Sequence, residues 1–175
     1  CSDNGLVTGS ENRIDFCVPV CDYFEGMMSL YFYRIENAGR NTDTLLETGP
    51  SQIYEYQLNE KRRLPLWELV YHDCCVAMWF WGDCNNKIYD AWDKRDLFDA
   101  LYAVPPMYWV NTQEYFDENK TKLVKSYKTS AEIVKKAAAV EMTNHEFLNA
   151  DRSIQRTTFA NGLSVTVDFN SGTVY

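Results

Sequence analysis

The chain has 175 residues, 46% of them hydrophobic and 24% charged, with a formal net charge of -8. That acidity argues against a nucleic-acid binder, which would carry a basic patch. The longest apolar run, Cys74 to Trp81, falls far short of the roughly 18 residues that span a bilayer.

Gly5 to Glu11 reads as a short strand running into a polar loop, with Glu11 at its end. Phe16 to Val20 is a brief apolar segment, and Asp22-Tyr23-Phe24-Glu25-Gly26 sets two acids and two aromatics beside a glycine. Met27 to Ile35 is compatible with helix or strand. Asn37 to Pro50 is a loop by its Gly, Asn, Asp and Pro content, and Ser51 to Glu60 is compatible with a short helix. Two apolar runs predict buried strands. Leu66 to Tyr71 ends in His72-Asp73, and Val76 to Trp81 ends in Gly82-Asp83.

Farther along, Asp93 is an N-cap candidate for a helix over Lys94 to Ala103, stopped by Pro105-Pro106. Met107 to Val110 is a short strand or extended segment. Thr112 is placed to cap a long helix whose buried stripe would be Phe116, Leu123, Val124 and Tyr127. Thr129 with Glu132 has the spacing of a capping box before a further helix. Then the period changes from helical to two. Ile154 to Ala160 and Leu163 to Phe169 alternate around Asn161-Gly162, the signature of a hairpin. The expected fold class is α/β, with an α/β unit over residues 1–140 and the start of an antiparallel β-domain over 141–175.

The chemistry on offer is carboxylates and aromatics. No phosphate-binding glycine loop and no Gly-x-Ser-x-Gly elbow is present. The chain has two histidines, which rules out a His-rich metal centre, and its six cysteines include no Cys-x-x-Cys pair. Neither a metal nor a cofactor is therefore expected, and the cysteines leave the compartment open. Glu11, after a Gly-Ser turn at a strand end, is a candidate general acid/base, against the plain alternative of an exposed loop glutamate. Neighbours on a strand point in opposite directions, so one of His72 and Asp73 would face a site while the other braces the loop. Asp22, Tyr71, Trp81 and Asp83 complete the candidate binding set, offering hydrogen bonds and ring faces for a polar substrate. Core packing is the competing account of the rings. Two carboxylates in an aromatic-lined cleft are what glycoside hydrolysis requires.

Several motifs carry a family resemblance: Gly9-Ser10-Glu11, Val18-Pro19-Val20-Cys21-Asp22-Tyr23-Phe24-Glu25-Gly26, Leu64 to Asp73, Trp81-Gly82-Asp83, Pro105-Pro106-Met107-Tyr108 and Asp151 to Gly162. Together they resemble large bacterial glycoside hydrolases related to endo-α-N-acetylgalactosaminidase. The resemblance implies the C-terminal part of a β/α barrel followed by the opening of a β-sandwich. It implies a retaining enzyme acting on α-linked sugars, with N-acetylgalactosaminides of mucin-type glycans as candidates. Glu11 would align with the acid/base, and an Asp nucleophile would lie upstream of Cys1. His72 and Asp73 would contact sugar hydroxyls. The partners implied are a carbohydrate substrate and the remainder of the same polypeptide, in an extracytoplasmic setting. On this reading the chain is an excised piece, inactive alone. A non-catalytic carbohydrate-binding module is the rival from another class, and a structural domain with all its aromatics in the core is the third reading.

Overall fold

The computed structural model describes residues 4–10, 14–25, 58–78, 91–108 and 110–175. Three short parallel strands come first: β1 (Gly9–Ser10), β2 (Tyr23–Phe24) and β3 (Val76–Ala77), paired in the order β1-β2-β3. A 3-10 helix over Asp15–Val20 links β1 to β2. Gly9 pairs in register with Tyr23 and so shares its face of the sheet. A Cβ built on Gly9 would fall 2.1 Å from Tyr23 Cζ, so the ring keeps its place because residue 9 has no side chain. Gly9→Ala is therefore expected to destabilise the protein by about 1–3 kcal/mol through overpacking. The denaturation midpoint checks this, and an unchanged midpoint would mean that the ring moves aside at no cost.

The first expected strand is a helix. Leu66–Tyr71 forms α1, with Pro65 at its N-cap. A six-residue apolar run does not distinguish strand from buried helix by hydrophobicity, but its contacts follow helical spacing. Trp67 and Tyr71, four apart, pack with tilted rings at 4.7 Å between centroids, while Leu66 and Val70, also four apart, face outward. Pro65 starts the helix, its carbonyl accepting from Leu69 N–H at 2.8 Å. Of the second expected strand, β3 takes Val76–Ala77; residues 79–83 lie outside the described residues. So do Met27 to Ile35, Asn37 to Pro50 and most of Ser51 to Glu60.

Helix α2 (Trp92–Tyr102) begins two residues before the expected start, with Ala91 at the N-cap. Asp93 sits in its first turn and pairs with Lys125 at 3.1 Å. The helix ends where Ala103 turns left-handed at φ 52, and Val104 N–H donates to the Asp99 carbonyl. Helix α3 runs unbroken over Gln113–Ala137, with Thr112 Oγ1 accepting from Tyr115 N–H. No new helix starts at Thr129: its hydroxyl donates back to the Lys125 carbonyl, an interior helical bond, and Glu132 pairs with Lys135 instead. The expected buried stripe is also rotated. Leu123 is buried, but Phe116, Val124 and Tyr127 are exposed, and Ser126 and Ser130 face inward. The Ser126 hydroxyl serves a polar contact with α2, described below, that hydrophobic periodicity does not register.

Strands β4 (Met142–Phe147), β5 (Ile154–Phe159), β6 (Ser164–Asp168) and β7 (Thr173–Val174) form an antiparallel sheet in chain order. The β5–β6 hairpin is the expected one. Gly162 has φ 86, and Asn161 Nδ2 donates to the Lys136 carbonyl, tying the turn to α3. Alternate residues Gln155, Thr157 and Phe159 of β5, with Val165 and Val167 of β6, are buried. This face packs against α2, which packs against α3. Phe24 and Ala77 of the parallel sheet join the same core cluster as Phe98, Leu101, Phe159 and Val167.

Candidate functional site

Parallel strands point all their C-terminal ends to one side, where barrel and open-sheet enzymes place their chemistry. Here Glu25 N–H donates to the Ser10 carbonyl at 2.9 Å, and Met78 N–H donates to the Phe24 carbonyl at 2.7 Å. Pairing thus continues one residue past the ends of β2 and β3. Phe24 turns its ring toward α1, meeting Trp67 edge-on at 5.3 Å. By the two-residue period of a strand, Tyr23 and Glu25 take the opposite face, away from the helix. Glu25 is half-buried, and among the described residues its carboxylate has no hydrogen-bond or ion-pair partner. Glu11 follows β1 directly in sequence but lies outside the described residues, as do Trp81 and Asp83 beyond β3.

The other four candidates lie at the opposite end of the strands. Asp22 precedes β2, and its carboxylate accepts from Thr8 N–H at 2.7 Å and Thr8 Oγ1 at 3.0 Å. Those two bonds, the backbone one foremost, hold it below the usual carboxylate range. Tyr71 closes α1, its ring on Trp67 and its carbonyl accepting from Cys74 and Cys75 N–H. Asp73 is exposed, and its carboxylate accepts from Cys74 Sγ. This placement follows from the folding of Leu66–Tyr71 as a helix: the residues at its end enter the turn that feeds β3 and do not leave a strand.

His72 is engaged on both sides of its ring. Nδ1 lies 2.7 Å from the Val140 carbonyl, Nε2 lies 3.4 Å from the Ala103 carbonyl, and the ring contacts Phe159 at 5.1 Å. It links the end of α1 to the turn after α2 and to the segment leading into β4. His72→Ala is expected to cost about 2 kcal/mol from one lost hydrogen bond and lost packing. Thermal unfolding measures it. A variant that keeps its unfolding midpoint but loses sugar affinity would return His72 to the binding set.

One polar constellation escaped the sequence reading. Arg95, with no exposed side-chain surface, pairs with Asp96 at 2.9 Å and Asp99 at 3.4 Å within α2. Its Nη2 donates to Ser126 Oγ at 3.2 Å, and the guanidinium lies between the Trp92 and Tyr108 rings at 5.6 and 5.3 Å. Ser126 donates to Asp96 Oδ1 at 2.6 Å, and Tyr108 donates to Ser126 at 2.7 Å. Burial pushes the Asp99 carboxyl well above its usual range, opposed by Arg95. The only cue in the sequence is a charged i, i+4 pair, Arg95 and Asp99, inside an otherwise apolar helical face. The cluster is a frame joining α2, α3 and Tyr108. Among the described residues no group of three or more His, Cys, Asp or Glu is arranged to hold a metal ion, and no helix is long and apolar enough to cross a membrane.

The family model described as glycosyl hydrolases related to the GH101 family, GH129, matches residues 49–158, more than half of the chain. Solved structures of the α-N-acetylgalactosaminidase NagBb from Bifidobacterium bifidum share the fold. The ligand-free form is 23% identical with a TM-score of 0.60, covering 99% of this chain and 24% of that one. The Gal-NHAc-DNJ complex is 22% identical with a TM-score of 0.62, covering 99% and 25%. The GalNAc complex is 22% identical with a TM-score of 0.60, covering 99% and 24%. The present chain thus spans about a quarter of the length of these structures. No curated protein matches it.

Proposed function

Because the chain belongs to the glycosyl hydrolases related to the GH101 family, GH129, we propose that it is part of a retaining glycoside hydrolase that cleaves α-linked N-acetylgalactosamine. The observation that carries this reading is the parallel sheet: β1 and β2 are adjacent, and each is followed by a glutamate at its C-terminal end, Glu11 and Glu25. In this proposal β1, β2 and β3 are late strands of a β/α barrel, and residues 141–175 open a β-sandwich.

Retaining glycosidases use a nucleophile and an acid/base about 5–5.5 Å apart. Glu11 is the acid/base, protonating the departing glycosidic oxygen and then deprotonating the water that releases the sugar. The nucleophile is an Asp on an earlier strand, upstream of Cys1. Trp81 and Asp83, just past β3, supply a stacking face and a hydroxyl partner. Asp22, Tyr71, His72 and Asp73 hold the base of the sheet and turns, so their influence on the sugar is indirect.

The test is hydrolysis of 4-nitrophenyl α-N-acetylgalactosaminide by the full-length protein, followed by proton NMR. The α-anomer should appear first and mutarotate later. First release of the β-anomer would exclude the retaining mechanism. Sugar binding with no turnover would support a binding module instead.

A further inference from the structure

Resting on the reading just given, we infer that Glu25 contacts the substrate and accepts hydrogen bonds from sugar hydroxyls in the subsite that holds the cleaved residue. Three observations converge on it. Its backbone N–H is anchored to the Ser10 carbonyl at 2.9 Å, so the side chain leaves a fixed point at the C-terminal end of the sheet. It shares the face of Tyr23, away from α1, because Phe24 between them is fully buried against Trp67. Among the described residues its carboxylate is half-buried and unpartnered, whereas the Asp96 carboxylate accepts from Ser126 and Arg95.

The carboxylates that precede the strands are occupied by their own protein: Asp22 by Thr8, and Asp73 by Cys74. Among the described residues, Glu25 has no such partner. A carboxylate accepts from two neighbouring hydroxyls at once, and such charge-assisted bonds are the stronger kind. Gly9 adds to the arrangement, since its missing side chain lets the Tyr23 ring settle over β1 below the level of Glu25.

The experiment compares the full-length wild type with Glu25→Gln and Glu25→Asp. N-acetylgalactosamine binding is measured by calorimetry, and kcat and KM on the nitrophenyl glycoside by initial rates. Glu25→Gln should weaken the sugar Kd and raise KM by about 10- to 100-fold, the loss of a hydrogen bond to a charged acceptor. The drop in kcat should be smaller, and Glu25→Asp should recover part of the affinity. Kd and KM close to wild type in Glu25→Gln would overturn the inference and leave the hydrolase reading intact. Undiminished binding with abolished kcat would also overturn it, by moving Glu25 into proton transfer or nucleophilic attack. A wild type that binds the sugar without cleaving it, with binding lost in Glu25→Gln, would support the inference and sink the hydrolase reading. A wild type that neither binds nor cleaves would sink both.

Discussion

Arg95→Ala should destabilise the protein by about 3–5 kcal/mol, the range for removing one member of a buried ion pair. Arg95 and Asp99 have no exposed side-chain surface, and Asp96 very little. With the guanidinium gone, two carboxylates remain in a dry interface with Ser126 as one neutral donor. The Trp92 and Tyr108 rings also lose the cation between them. The shift in urea midpoint measures the effect. Replacing Arg95, Asp96 and Asp99 together by Met, Leu and Leu should recover most of it, because an apolar filling no longer strands a charge.

The pH dependence has a definite sign. Asp99 titrates above its usual range in the folded chain because burial favours the neutral acid. The folded state therefore binds more protons than the unfolded state between the ordinary carboxylate range and that raised value, and stability falls as pH rises through this window. Arg95 opposes the shift, so Arg95→Ala should widen the window and steepen the loss toward neutral pH. An alanine variant as stable as wild type at about pH 7 would contradict the electrostatic account.

On the proposed role of Glu11 as acid/base, Glu11→Gln in the full-length protein should lower kcat/KM on glycosides with poor leaving groups by about 10²–10⁴-fold, the usual worth of a positioned acid/base. Nitrophenyl substrates should suffer less in the first step, because their leaving group needs little protonation. Added azide should restore turnover and yield the α-glycosyl azide, since an anionic nucleophile needs no general base. The alkaline limb of the pH–rate profile should vanish, because that limb reports the acid. Turnover equal to wild type on every substrate would remove Glu11 from the mechanism.

How much of this was legible in the sequence depended on whether the signal was local. The β5–β6 hairpin was, because Asn161-Gly162 favours the positive φ that the turn uses, and the flanking residues alternate with period two. The end of α2 was, because Pro105-Pro106 cannot continue a helix. The family was, because motifs such as Leu64 to Asp73 are read from neighbouring residues.

The sequence by itself determined the change from mixed α/β to antiparallel β near residue 141, the hairpin, the helix stop and the family, since each rests on neighbouring residues or on motifs. Tertiary structure decided the rest. Leu66–Tyr71 became a helix because Trp67 and Tyr71 found partners four residues apart and against Phe24. The face of α3 turned inward at Ser126 because a buried Arg95 network on α2 required hydroxyls there. Among the described residues, Glu25 is a strand-end carboxylate without a partner, while Asp22 is committed to Thr8. The contacts of Trp67 with Phe24 and of Arg95 and Asp96 with Ser126 join residues distant in the chain, where the energy of a contact is set by what it meets and periodicity records only which side it leaves from.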